Sequence, residues 1–116
     1  MTQLEMVKTM ANLRAKRPEA FAWRTKEAAL AAVAKWHYTL KDVSVATVME
    51  AIKAYIDDNG KVPDLADVCA ELDKAAECYD FLAHLADIHG EKNEAAKYML
   101  LAADARSYRP PHADAV

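Results

Sequence analysis

The chain has 116 residues, of which 53% are hydrophobic and 28% charged, and its net charge is −3. This length suits one domain with its own core, and the composition excludes a disordered chain. Only 2 glycines and 4 prolines occur, which disfavours a sandwich or a barrel because those folds need many glycine-bearing turns. We therefore predict an all-α fold, a compact bundle of four or five helices.

The first two predicted helices are separated by a short proline-containing link. Helix one covers about residues 2–17, ends at Pro18, and is expected to bury the apolar side formed by Leu4, Val7, Met10 and Ala11. Helix two begins after a predicted N-cap and carries an apolar stripe at spacings of three and four. That N-cap is Thr25, and the stripe comprises Ala29, Leu30, Val33, Trp36, His37 and Leu40.

The third and fourth predicted helices have clear ends. Helix three follows a turn capped by Asp42 or Ser44 and stops at Gly60, which suits a left-handed C-terminal position. Helix four is capped by Asp64 and keeps one apolar face as far as Gly90. Whether it breaks near residues 73–74 stays open. The predicted core is Val33, Trp36, Leu40, Val48, Ile52, Ile56 and Leu65.

The fifth predicted helix covers about residues 92–107. Its expected apolar stripe comprises Ala95, Ala96, Met99, Leu100 and Ala103. We assign residues 1–107 to a single helical domain, made of a unit over 1–72 and additional helices over 73–107. Residues 108–116 are predicted to form a flexible tail.

Residues suited to catalysis or metal binding are scarce. The serines Ser44 and Ser107 lie outside any Gly-x-Ser-x-Gly motif, and two glycines cannot form a phosphate loop. The soft ligands Cys69, Cys78, His84 and His89 follow one another at intervals of nine, six and five residues. On a helix these intervals scatter around the axis, whereas zinc ligands come in close pairs. We expect no enzyme activity, no cofactor and no metal.

The charge is unevenly distributed along the chain. Residues 1–40 carry seven Lys or Arg and three acids, and residues 59–116 carry six bases and eleven acids. Two interpretations stay open: solvated helix faces of opposite sign, or a basic head that contacts nucleic acid. The candidate nucleic-acid contacts are Arg14, Lys16, Arg17 and Arg24.

A second set of residues is predicted to contact a protein partner. Phe81, Tyr98 and Leu101 lie beside the predicted apolar faces of their helices, and apolar groups on a second face favour a further contact, made by this chain or by a partner. Arg106 and Tyr108 form a small basic-aromatic end. The N-terminal residues lack the features of a secretory signal, and no apolar run reaches the length of about 18 residues that spans a membrane. We therefore expect a cytoplasmic protein with no membrane partner.

Over about residues 5–72 the pattern resembles a known family. The motif begins at Trp36 and Leu40 and continues through the turn at Asp42 to Val48, Ala51-Ile52-Lys53, Tyr55-Ile56, Asn59, Lys61, Pro63 and Leu65-Ala66-Asp67-Val68. It is similar to the N-terminal domain of the replicative helicase loader/inhibitor proteins of phages of Gram-positive bacteria. Pro18 and Phe21 resemble the family's link between its first two helices, with one extra residue here.

The resemblance implies a helical, non-enzymatic replication accessory protein. Members of that family bind the hexameric replicative helicase, hold it inactive and help to deliver it to origin-bound protein. Their flexible tail carries much of the helicase contact, whereas residues 73–107 here are patterned as helix, so no binding residue is transferred. The alternatives are a small homodimeric adaptor, an anti-host interaction protein, or a DNA-binding module that uses the basic N-terminal region.

Overall fold

The computed structural model describes residues 1–16 and 25–109, and these residues form five helices and no strand. The all-α prediction is therefore confirmed. The helices are α1 (Gln3–Lys16), α2 (Lys26–Leu40), α3 (Val45–Asn59), α4 (Leu65–Ile88) and α5 (Lys92–Ala105). Among these helices, none combines the length and the apolar character that a membrane crossing requires.

The helix ends are set by side chains that satisfy the free backbone groups of the first turn. Thr25 and Ser44 accept hydrogen bonds from the backbone N–H groups three residues ahead, as N-cap residues do. Asp64 and Asp67 form a reciprocal capping box at the start of α4. Gly60 ends α3 with φ of 67°, a conformation that a residue with a Cβ atom rarely adopts. The predicted caps are thus confirmed, and Ser44 rather than Asp42 caps α3.

The core lies where α1, α2, α3 and the first half of α4 meet. Of the predicted core residues, Val33 and Ile56 are partly buried against it, and the other five are buried. The remaining buried members of the cluster are Met6, Met10, Leu13, Val43, Ala51, Val68, Leu72, Ala76 and Ala105. This cluster holds α1–α3 and the start of α4 together, as predicted.

The predicted face of α1 is wrong except for Met10, which is buried as predicted. Leu4 is 63% exposed and Val7 is also exposed, whereas the side that carries Met6, Met10 and Leu13 is buried. Because α1 has apolar residues on both sides, its periodicity alone does not choose between them. Similarly, Leu30 of the predicted α2 stripe lies in solvent.

Helix α4 continues without a break through residues 73–74 and forms an antiparallel hairpin with α5. The turn between them uses Gly90 at φ of 76°. The buried contact residues are mostly alanines, which let two helices approach closely. They are Ala76, Ala83 and Ala86 of α4 and Ala95, Ala102 and Ala105 of α5. The proposed boundary at residue 72 therefore lies inside one helix that both parts share.

Helix α5 buries a different side from the one predicted. Ala95 is buried, but Met99 and Leu100 of the predicted stripe are exposed. Tyr98 and Leu101 are partly buried instead, and the Tyr98 ring stacks on Tyr79 with the ring centres 6.4 Å apart. The side that faces α4 is the one with small residues, because it permits closer packing than a side with long side chains.

A carboxylate joins α5 to the start of α3. The Ser44 backbone N–H donates to Asp104 Oδ1 at 3.0 Å, and the Ser44 hydroxyl donates to Oδ2 at 2.7 Å. The buried Thr47 hydroxyl also donates to Oδ2. Burial alone would raise the pKa of Asp104, but the hydrogen bonds from Ser44 and Thr47 outweigh it and hold the pKa below its ordinary value.

The first two residues of the predicted tail are fixed to the body, so the tail boundary at residue 108 is corrected. Tyr108 packs against the core and its hydroxyl donates to Asp73 at 2.9 Å. The Arg109 backbone N–H donates to the Thr39 carbonyl at 2.8 Å, and its guanidinium pairs with Asp42 at 3.2 Å. Residues 110–116 lie outside the described residues.

Candidate protein-binding surface

The outer side of α4 carries an apolar stripe that nothing in the described chain covers. We call Cys78, Phe81, Leu85 and Ile88 the α4 stripe. Phe81 is 61% and Ile88 64% exposed, Leu85 is less exposed, and Cys78 lies at the surface. Two residues along a helix correspond to about 200° of rotation, so Phe81 points away from both Tyr79 and Ala83, which face the rest of the protein.

The flanks of the α4 stripe differ in charge. At 100° per residue, Glu77 and His84 lie beside the stripe on one side, and Leu82 and His89 lie beside it on the other. Asp80 and Asp87 lie farther round the helix, closer to the side of Ala83. Arg106 of α5 pairs with Asp80, but Glu77 and Asp87 make no ion pair within the residues described. Residues 77–97, which span the outer half of the hairpin, hold five acids and two lysines. Of the α4 positions directly beside the stripe, only Glu77 carries an acid.

Helix α5 adds a smaller exposed apolar patch formed by Met99 and Leu100, the latter 73% exposed. The rotation of α5 described above places these two residues in solvent. Contiguous exposed apolar area is uncommon on soluble proteins and marks interaction surfaces. The hairpin thus exposes apolar side chains on both of its helices.

Of the five predicted partner contacts, only Phe81 lies on the α4 stripe. Tyr98 and Leu101 are partly buried, and the Tyr98 ring is covered in part by Tyr79 of the chain itself. Arg106 is exposed but engaged with Asp80, and Tyr108 is bonded to Asp73. The structure therefore does not bring these five residues together on one surface.

Leu85 and Ile88 were not predicted to be surface residues. The available signal was their spacing, because residues 78, 81, 85 and 88 repeat at intervals of three, four and three, which is the pattern of a helix–helix seam. This spacing was hard to recognise because the same helix has a second apolar face, which is directed at α5.

The predicted nucleic-acid contacts are only partly within the described residues. Arg14 and Lys16 are exposed in the last turn of α1, where positive charge also favours the helix dipole. Arg17 and Arg24 lie outside the described residues. Lys16 borders a cleft of about 430 Å³ between α1 and α3, which Lys53 shares with the acids Glu50 and Asp57. The two acids oppose phosphate binding in that cleft.

The two cysteines have different surroundings. Burial, followed by the nearby charges of Asp73 and Asp64, raises the pKa of the Cys69 thiol to about 11. Cys78 lies at the surface, on the α4 stripe. Within residues 1–16 and 25–109, no group of three or more His, Cys, Asp or Glu side chains is arranged to hold a metal ion.

We expect iodoacetamide to alkylate Cys78 and leave Cys69 almost unmodified in the folded protein at neutral pH. The thiolate is the reactive form of cysteine. Cys69 is buried, and its raised pKa leaves almost none of it as thiolate at neutral pH. Mass spectrometry of the digested protein after timed labelling measures the two rates, with denatured protein as the control in which both thiols react. Equal rates in the folded protein would contradict the burial of Cys69.

Comparisons of this chain with protein-family models, with curated proteins and with solved structures found no match.

Proposed function

We propose that this chain is a non-enzymatic phage or prophage replication accessory protein that binds a hexameric replicative helicase and regulates or loads it. The family resemblance over about residues 5–72 motivates the choice of partner. The exposed α4 stripe is the observation that supports a protein partner, because Phe81, Leu85 and Ile88 lie in solvent on an ordered helix.

The α4–α5 hairpin occupies the part of the chain where the resembling family has a flexible tail. We assign the helicase contact to this hairpin and specifically to the α4 stripe. Burying two large apolar side chains such as Phe81 and Ile88 contributes about 1.5–3 kcal/mol each. Such a contact would occlude or position the helicase by surface complementarity alone, with no chemical step.

The test is size-exclusion chromatography with light scattering of this chain mixed with the hexameric replicative helicase of a Gram-positive bacterium. We expect co-elution with the hexamer, and loss of co-elution when Phe81→Ser and Ile88→Ser are combined. The matched control combines Leu4→Ser and Leu30→Ser, which remove exposed apolar groups from α1 and α2. The helicase assignment fails if the unaltered chain does not co-elute, and the surface assignment fails if both variants bind equally.

Two other functions have a specific observation in their favour. The exposed Met99 and Leu100 favour a homodimeric adaptor, which light scattering of the chain alone would show as a dimer. The exposed Arg14 and Lys16 favour nucleic-acid binding. In that case fluorescence anisotropy of labelled duplex DNA would show affinity falling steeply between about 50 mM and about 200 mM salt.

A further inference from the structure

We propose that residues 107–109 form a strap that opens while the five helices stay folded, and that its opening uncovers the thiol of Cys69. We call these residues the C-terminal strap. The strap follows α5 and bridges two other helices, since Tyr108 bonds to α4 and the backbone of Arg109 bonds to the end of α2. Such an element determines whether the chain presents one reactive thiol or two. The inference goes beyond the proposed function and does not depend on it.

Tyr108 lies over the side of α4 that carries Cys69. Cys69 and Asp73 are four residues apart and therefore share one face of the helix. The Tyr108 hydroxyl donates to both carboxylate oxygens of Asp73, at 2.9 and 3.0 Å. Burial and then Asp73, followed by the charge of Cys69, raise the pKa of Tyr108 to about 12. The Cys69 thiol is thus close to the Tyr108 hydroxyl, and Tyr108 is part of the cover over this thiol.

Cys69 is buried at the margin of the core rather than inside it. It is only 6% exposed, yet it does not belong to the core cluster that includes Val68 and Leu72. Tyr108 is itself only partly buried and packs against that cluster. A thiol at the margin can be uncovered when one neighbouring side chain moves away, whereas a residue inside the cluster needs the helices to separate.

The contacts that hold the C-terminal strap are exposed to solvent. The side chains of the Arg109–Asp42 ion pair are 43% and 50% exposed, and the bonds of Tyr108 to Asp73 are also exposed. The Arg109 guanidinium lies 5.4 Å from the centre of the Tyr38 ring. Exposed ion pairs contribute little to stability. Because segments with exposed hydrogen bonds and few buried contacts open at a lower cost than the whole fold, we expect the strap to open first.

The end of α5, directly before the strap, is held much more firmly. Ala105 has no exposed surface. The Asp104 carboxylate accepts hydrogen bonds from Ser44 and Thr47 at the start of α3. These contacts fix α5 on the rest of the protein, so the opening is confined to the residues that follow the helix and leaves the α4–α5 hairpin in place.

The first test measures how the labelling of Cys69 by iodoacetamide depends on urea in the unaltered chain, at urea concentrations below the unfolding transition. Mass spectrometry of the digested protein gives the labelling rate, and circular dichroism gives the slope of global unfolding. A local opening exposes little surface, so we expect the Cys69 rate to change hardly at all with urea. A rate that rises with the full slope of global unfolding would overturn the inference.

The second test loosens the strap directly. Combining Tyr108→Ala with Arg109→Ala should raise the Cys69 labelling rate by about tenfold or more and leave the Cys78 rate unchanged. The matched control is Arg106→Ala, which breaks a similarly exposed arginine–aspartate pair beside the strap and should change neither rate. Circular dichroism shows whether each variant is folded under the labelling conditions.

An unchanged Cys69 rate in the folded double variant would overturn the inference, and so would an equal increase in the Arg106→Ala control. If the double variant does not fold, Tyr108→Phe takes its place, because this change removes only the hydroxyl and its bonds to Asp73. The Cys69 rate should then rise about threefold, and no rise would again overturn the inference. Helicase co-elution, or its absence, has no bearing on these rates.

Discussion

Leu72→Ala should lower the free energy of unfolding by about 2–5 kcal/mol, because it removes a fully buried side chain and leaves a cavity. Leu72 lies on α4 in the core cluster, where it has no exposed surface. Urea unfolding followed by circular dichroism measures the loss as a shift of the midpoint at unchanged slope.

Leu100→Ala is the matched control. It makes the same chemical change in a helix, but Leu100 is 73% exposed, so we expect a change of less than about 0.5 kcal/mol. The sequence pattern puts Leu100 on the apolar stripe of its helix and therefore predicts a loss similar to that of Leu72→Ala. Equal losses would show that α5 packs as the pattern suggests rather than as the structure shows.

Asp104→Ala should also destabilise the protein, by about 1.5–3 kcal/mol, since hydrogen bonds to a charged acceptor contribute in this range. The substitution removes the acceptor of the Ser44 N–H, of the Ser44 hydroxyl and of the Thr47 hydroxyl. Thermal and urea unfolding measure the loss. Asp80→Ala is the control. Asp80 is another aspartate on a helix, but its partner is Arg106 and the pair is half-exposed. Because exposed ion pairs contribute little to stability, this variant should lose little.

The pH dependence of a second variant, Asp104→Asn, tests the carboxylate itself. The pKa of Asp104 is lowered in the folded protein, so its stabilising contribution is present above its unfolded pKa of about 3.9. That contribution is lost as the pH falls through the folded pKa. The difference in stability between the unaltered chain and Asp104→Asn should therefore shrink on acidification below about pH 4. A difference that stays constant would assign the effect to packing rather than charge.

Helices with distinct end residues could be predicted from the sequence almost to their limits. Thr25, Ser44, Gly60 and Asp64 each satisfy a local backbone requirement, and local requirements are visible in a single sequence. The bulky residues of α2 and α3 also identify their buried face, because residues such as Trp36 and Ile52 leave little choice of side.

The buried faces of α1 and α5 could not be predicted in the same way. Alanine occurs on several sides of α5, so its apolar stripe is not unique, and packing against α4 selects the side with Ala95, Ala102 and Ala105. The exposed apolar patch of α5 followed from this selection, since the selection leaves Met99 and Leu100 in solvent. Long-range bonds such as that between Asp104 and Ser44 join residues 60 apart and leave no local signal.

The bonds of Asp104 and Arg109 also set an order of events during synthesis. The start of α3 emerges early. The Asp104 carboxylate, which accepts hydrogen bonds from Ser44 and Thr47, is synthesised 57 to 60 residues later. Arg109 then reaches back to Thr39 at the end of α2. Closing contacts this distant in sequence costs loop entropy that nearby contacts do not. A ribosome-bound chain that stops before α5 would therefore hold its first three helices in a looser state, exposed to chaperones and proteases until α5 and Arg109 are synthesised.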